Sequence, residues 1–239
     1  MVRFRFRAGG IGGIRTSVRN YFSSHLLWQA QQSAIDARTI EDSLVGPTFD
    51  VRHRGSVLSA IQASVAFLEA MVNELFTDAA DGHGTSGDGY IAPLDPDAIA
   101  RMAAVWSDTN GGRLGAIAKY QLLLSLSDRP RLDKASDPLN SANLLIQLRN
   151  VIVHYSPESL FTDESHKLEG RLRNRFESNL LASPNSLWWP DQCLGSACAE
   201  WSWQSALALA DAVSDDLSIT PNYKRLLERH WEGLGGPPS

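Results

Sequence analysis

The stretch 58–75 reads LSAIQASVAFLEAMVNEL, and it decides the fold class. Leu58, Ile61, Val65, Leu68, Val72 and Leu75 recur at spacings of three and four, so a helix would carry them as one apolar seam over about five turns. A seam of that length needs an apolar partner of similar length. The preceding segment 19–44 offers one: Tyr21, Phe22, Leu26, Ile35 and Leu44 stand among polar neighbours, and Gly46-Pro47 stops it. A short connection between two long helices predicts an antiparallel pair.

Working outward from that pair, nearly every periodic segment reads as helix. Asp95-Pro96 resembles an N-cap followed by proline at the first helical position, opening a helix to about Ser107. Gly111-Gly112 separates it from a helix over 114–126. After a polar connector at 127–138, Asn140 or Ser141 is placed to cap a further helix that stops near Ser156-Pro157. A late helix spans 196–217 with Trp201, Leu209 and Val213 as core candidates, and Thr220-Pro221 starts a short last one. No internal repeat and no run of strand alternation is evident. The expected fold is therefore all-α: one helical domain over 19–232, a flexible basic arm at 1–18, a mobile Gly/Asp-rich loop at 78–97 and a disordered tail at 233–239. Within that loop, residues 82–87 match G-x-G-x-x-G, but a helix rather than a strand precedes them, so no dinucleotide site is expected.

Charge is unevenly placed. Arg3, Arg5, Arg7, Arg15 and Arg19 contribute +5 with no acid among the first twenty residues, so with a net charge of −5 the remainder carries −10. A body of that sign does not attract nucleic acid globally, and any RNA contact must be local. No apolar run approaches the ~20 residues of a bilayer span, and the first segment lacks a secretory apolar core. Cys193 and Cys198, spaced C-x4-C, fit neither a disulfide scaffold nor a four-ligand zinc site, so reduced thiols in a cytoplasmic protein are expected. The histidines show no metal spacing. Neither a metal nor a cofactor is expected.

Chemistry concentrates in Arg149-Asn150-Val151-Ile152-Val153-His154. With Leu148 at zero on a helical wheel, Leu144, Leu145, Val151, Ile152 and Tyr155 fall within about 60° and form the core stripe. Asn150 and His154 stand one turn apart on the opposite face, and Arg149 reaches round from the flank. An imidazole can move the 2′-hydroxyl proton or protonate a 5′-oxygen, a guanidinium can hold the charge of a phosphorane, and an amide can orient either. The bland reading is three ordinary polar residues on an exposed face. Val153 on that face is either a lone exposed valine or covered by another helix of the chain or a second subunit. Glu69, one residue off the seam, either approaches the cleft and holds Arg149 or His154 in place, or is a solvent-facing or structural-ion-pair glutamate. The basic run Lys167, Arg171, Arg173, Arg175 either tracks a phosphate backbone or is a solvated face interleaved with Glu169 and Glu177.

The segment 145–157, LIQLRNVIVHYSP, resembles the signature helix of the HEPN superfamily, whose motif is R-x4–6-H, commonly with a polar residue after the arginine. Arg149, Asn150 and His154 stand at those positions. Two further segments, SVAFLEAMVNELF at 64–76 and CLGSACAEWSWQSA at 193–206, resemble an uncharacterised bacterial branch, so the resemblance spans roughly residues 20–217. It implies a helical bundle that dimerises through the motif helix, with Val153 in the contact and a composite cleft. It further implies a metal-independent endoribonuclease of a toxin, abortive-infection or antiviral system. RNA and an antitoxin or defence protein would be its partners, and Arg149, Asn150 and His154 its catalytic set, supported by Glu69 and Tyr155. Some members pair with a nucleotidyltransferase antitoxin that modifies a tyrosine in an R-x4-H-x-Y pattern; here Tyr155 follows His154 directly and Ser156 takes that place, so that regulation is not expected. Other members are non-catalytic, which leaves an RNA-binding module or a purely structural dimerisation element as alternatives.

Overall fold

The computed structural model describes residues 15–85, 89–108, 113–157 and 165–224 together with 3–7, with 3–7 and 15–18 described as backbone. Helices supply the body: α1 (Ser23–Ser43), α2 (Val51–Ala80), α3 (Pro96–Asp108), α4 (Ala116–Leu126), α5 (Leu139–Val153), the short α6 (Glu169–Leu172) and α7 (Ser196–Asp216). Its all-α character is as expected. The departure lies at the N-terminus. Strands β1 (Arg3–Arg7) and β2 (Arg15–Arg19) pair antiparallel where a flexible arm was expected. The expected tail at 233–239 lies outside the described residues.

Helix α2 is the axis. The seam residues Ile61, Val65, Leu68, Val72 and Leu75 are buried, and Val57, Phe67, Met71 and Phe76 widen the stripe until most of the helix is enclosed. Each such side chain contributes about 1.5–3 kcal/mol relative to exposure. α2 packs against α1, α7, α3, α5 and α4. Length and composition would let α2 cross a bilayer, contrary to the expectation from the apolar runs, but its apolar residues are spent on this core.

Two carboxylates, Glu41 buried and Glu74 half-buried, set the register of the pair. Glu74 of α2 accepts from the backbone N–H of Phe22 and Ser23 (2.9 and 2.8 Å) and from Ser23 Oγ, capping α1, whose own N-cap offers no side chain. At the other end, Glu41 of α1 meets His53 Nε2 of α2 at 3.0 Å. Glu41 also accepts the Ser196 N–H that opens α7 and the Leu180 N–H, both at 2.8 Å. These contacts make α1 and α2 antiparallel and start α7 beside their turn. Burial alone would raise the Glu41 pKa, but the hydrogen bonds from His53, Ser196 and Leu180 outweigh it and bring it down to about 2.

The region expected as a mobile loop is partly core. Residues 78–80 close α2, and Tyr90, Ile91 and Leu94 are buried. Gly84 takes φ +69°, and a Cβ on Gly89 would collide with the Gly84 carbonyl, so the glycines serve a close backbone crossing.

Candidate functional site

Helix α5 opens at Leu139, and its cap lies earlier than Asn140 or Ser141, the positions the sequence suggested. Asp137 accepts from the Ser141 N–H (3.0 Å) and Oγ (2.7 Å). The hydrogen bond from Ser141 holds its carboxyl below the usual range. Leu144, Leu145 and Leu148 are buried and Val151 and Ile152 half-buried, as the wheel predicts. The helix ends at Val153, however, and His154 leaves helical geometry with its N–H on the Asn150 carbonyl at 2.9 Å. That early stop overturns the placement of Tyr155 in the core stripe: it lies beyond the last turn and is 57% exposed. Val153 is 50% exposed.

The stop also reshapes the trio. Asn150 and His154 face an open cavity of about 640 Å³ between the end of α5 and the segment entering α6, lined also by Gln147, His166, Lys167 and Arg171. Arg149 is not part of that lining. It turns to α2, where Nη2 donates to Glu69 Oε1 at 2.7 Å. Glu69 thus pairs with Arg149, but outside the hollow, and within one chain the arginine and the histidine do not share a hollow. The physical reason is rotation: five residues advance a helix by about 140° beyond one turn.

The basic run divides in two. Lys167 and Arg171 border the cavity, Arg171 donating to Gln147 Oε1 at 2.8 Å. Arg173 pairs with Glu169 at 3.0 Å, one turn back. Arg175 is drawn to the start of α5, donating to Asp137 at 2.9 Å, Asn140 at 3.0 Å and Ser141 at 3.2 Å. These two arginines are occupied by acidic and polar neighbours away from the hollow.

His166 was not singled out as a site residue by its sequence position. It is 5% exposed, its ring stacks on Trp189 at 4.7 Å, and its Nδ1 accepts from the Leu168 N–H at 3.3 Å. That acceptor role leaves the proton of the neutral ring on Nε2. The only sequence cue was its place at the head of the basic run. The hollow is therefore lined by the exposed imidazole of His154, the buried ring of His166, an ammonium, a guanidinium and two side-chain amides. Such a set can grip an anion and move protons.

Among the described residues no cluster of His, Cys, Asp or Glu is arranged to hold a metal ion. Cys193 and Cys198 are buried free thiols, and their mutual hydrogen bond together with burial pushes the Cys193 thiol up. No protein-family model, curated protein or solved structure matches the chain.

Proposed function

We propose that this chain is a metal-independent endoribonuclease acting in the hollow at the end of α5. The observation that carries the reading is the gathering of Asn150, His154, His166, Lys167 and Arg171 around one open cavity. The 2′-oxygen forms a bond to phosphorus as the phosphorus–5′-oxygen bond breaks, giving a 2′,3′-cyclic phosphate and a 5′-hydroxyl. Exposed His154 takes the 2′-hydroxyl proton, and the imidazolium so formed delivers it to the departing 5′-oxygen. Lys167 and Arg171 bear the charge that builds on the phosphorane, and Asn150 orients it.

Arg149 enters this reading through a homodimer. Val153 and Tyr155, apolar surface left uncovered beside the hollow, form the seam, and Arg149 of one copy serves the cavity of the other. The resemblance of 145–157 to the HEPN signature supports this arrangement, as it supports a cytoplasmic toxin or defence role with an antitoxin or companion protein.

Cleavage of single-stranded RNA in the presence of EDTA tests the reading. His154→Ala should lower the rate by ~10²–10⁴-fold while leaving the assembly intact. Undiminished cleavage in that variant removes it. One observation favours the alternative of a non-catalytic RNA-binding module, namely the engagement of Arg149 by Glu69 outside the hollow. Tight RNA binding without product by the wild-type chain would establish that alternative.

A further inference from the structure

Among the described residues that line the hollow, none belongs to the N-terminal ribbon. Its register is Arg3 opposite Arg19, Phe4 opposite Val18, Arg5 opposite Ser17, Phe6 opposite Thr16 and Arg7 opposite Arg15. In an antiparallel pair directly opposed residues share a face, and so do alternate residues along each strand. One face therefore collects the register positions of all five arginines with Ser17, and the other those of Phe4, Phe6, Thr16 and Val18. Two cross-strand pairs set arginine against arginine, which disfavours pairing, in a two-stranded ribbon that is marginal in water by itself. The first twenty residues contain no acid to offset this within the segment, and the offset for Arg19 comes from outside it. At its base the ribbon is fastened to the end of α2, where Arg19 meets Asp78 and Asp81, each at 2.6 Å, and Tyr21 donates to Asp78 at 2.9 Å.

We propose that the arginine face of this ribbon is a binding strip for the phosphate backbone of single-stranded RNA, separate from the hollow. Alternate strand positions recur about every 6.6 Å, so the arginine positions form a linear row. A guanidinium fork matches a phosphate in shape and charge. A bound polyanion removes the arginine–arginine repulsion, so binding and ribbon pairing reinforce one another. The row is also the chain's answer to its own charge. With −10 on the remainder, RNA is attracted only where cations are gathered locally. The choice of RNA over another polyanion rests on the nuclease reading; the strip itself does not.

The test uses the full chain carrying His154→Ala, so that RNA survives, and follows fluorescent single-stranded RNA by anisotropy across a salt series. Adding Arg3→Gln, Arg5→Gln and Arg7→Gln together should weaken binding at low salt by roughly tenfold or more. It should also flatten the slope of log K against log salt by about 0.7 for each phosphate left without its arginine, roughly 2 in all. Replacing the same three by lysine should keep the slope. An unchanged slope in the glutamine variant overturns the proposal, as does an equal weakening in the lysine variant. Binding to anionic vesicles with no binding to RNA overturns it too. In a chain with His154 intact, the glutamine variant should cleave a dinucleotide-length RNA at the wild-type rate. Ribbon-dependent RNA binding without any cleavage removes the nuclease reading and leaves the strip standing, and the reverse outcome does the opposite.

Discussion

Two histidines in this molecule sit in opposite circumstances, and the contrast separates scaffold from candidate site. His53 is buried against Glu41, whose carboxylate also receives two backbone N–H groups from different parts of the chain. Both oxygens of that carboxylate are matched, and the match fixes where α1, α2 and α7 meet. His154 stands at the frayed end of α5, exposed, beside an open cavity that Lys167 and Arg171 also line. Matched polar groups in a dry interior position a fold, whereas polar groups left facing a hollow are available to a ligand.

The largest expected effects come from exchanging the fates of those two histidines. His154→Ala should abolish RNA cleavage and leave thermal unfolding unmoved, because its side chain contributes little burial. His53→Ala should leave the hollow's chemistry intact but lower the melting temperature, because Glu41 is deprived of a partner inside the core; a hydrogen bond to a charged group is worth ~1.5–3 kcal/mol. Thermal unfolding and EDTA-resistant cleavage, measured on both variants, check this. Loss of cleavage in a fully folded His53→Ala chain would break the comparison.

Next comes Glu41 itself. Its folded pKa of about 2 lies below the ordinary 4.5, so its carboxylate stabilises the fold above about pH 4.5 and that contribution is lost as pH falls towards 2. The difference corresponds to roughly 3 kcal/mol. Glu41→Gln should therefore destabilise the chain at neutral pH, and the gap from wild type should close as the solution is acidified. Half-buried Glu74 and buried Asp78 work in the other direction, since desolvation raises their pKa values. The measurement is thus the difference between variant and wild type in denaturant unfolding at each pH. A gap that does not narrow contradicts the assignment of the stabilisation to the Glu41 carboxylate.

A smaller effect divides the basic run. Lys167→Ala and Arg171→Ala should each lower kcat/KM by about tenfold, in keeping with removal of one charge-assisted hydrogen bond worth ~1.5 kcal/mol. Arg173→Ala should do nothing to the rate. Arg175→Ala should act on stability alone, through the start of α5. Steady-state cleavage with these four single variants reads the split directly; equal losses at all four positions would restore the basic run as one continuous phosphate track.

How much of this was legible beforehand follows from the range of each signal. The α2 seam was readable because helical periodicity is local, and the approach of Glu69 to Arg149 could be anticipated because Glu69 lies one step off that seam. The end of α5 at Val153 was not readable: no breaker stands before Pro157, and the three residues in between are set by what surrounds them. Tyr155 was misplaced for that reason. The diversion of Arg175 to Asp137 and the arrival of His166 beside His154 depend on where the chain returns in space, which no spacing encodes. The ribbon did leave a mark. Arg-Phe-Arg-Phe-Arg at 3–7 is strict alternation, the period of a strand, obscured by the glycines that follow and by a charge pattern that suggested an unstructured arm.

The smallest effect bears on the residue that links the two regions. Arg149 and Glu69 form a partly exposed pair, with 22% and 47% of their side chains accessible, so their coupling in a double-mutant cycle of unfolding should be under ~1 kcal/mol. Arg149 therefore has little to do for the scaffold. If it serves a neighbouring copy, mixing Arg149→Ala chains with His154→Ala chains should return activity that neither has alone. Each mixed dimer then carries one complete cleft, giving roughly a quarter of the wild-type rate in a statistical mixture. If all the chemistry lies within one chain, mixing returns nothing, and Arg149 belongs with Glu41 and His53 among the groups that only hold helices together.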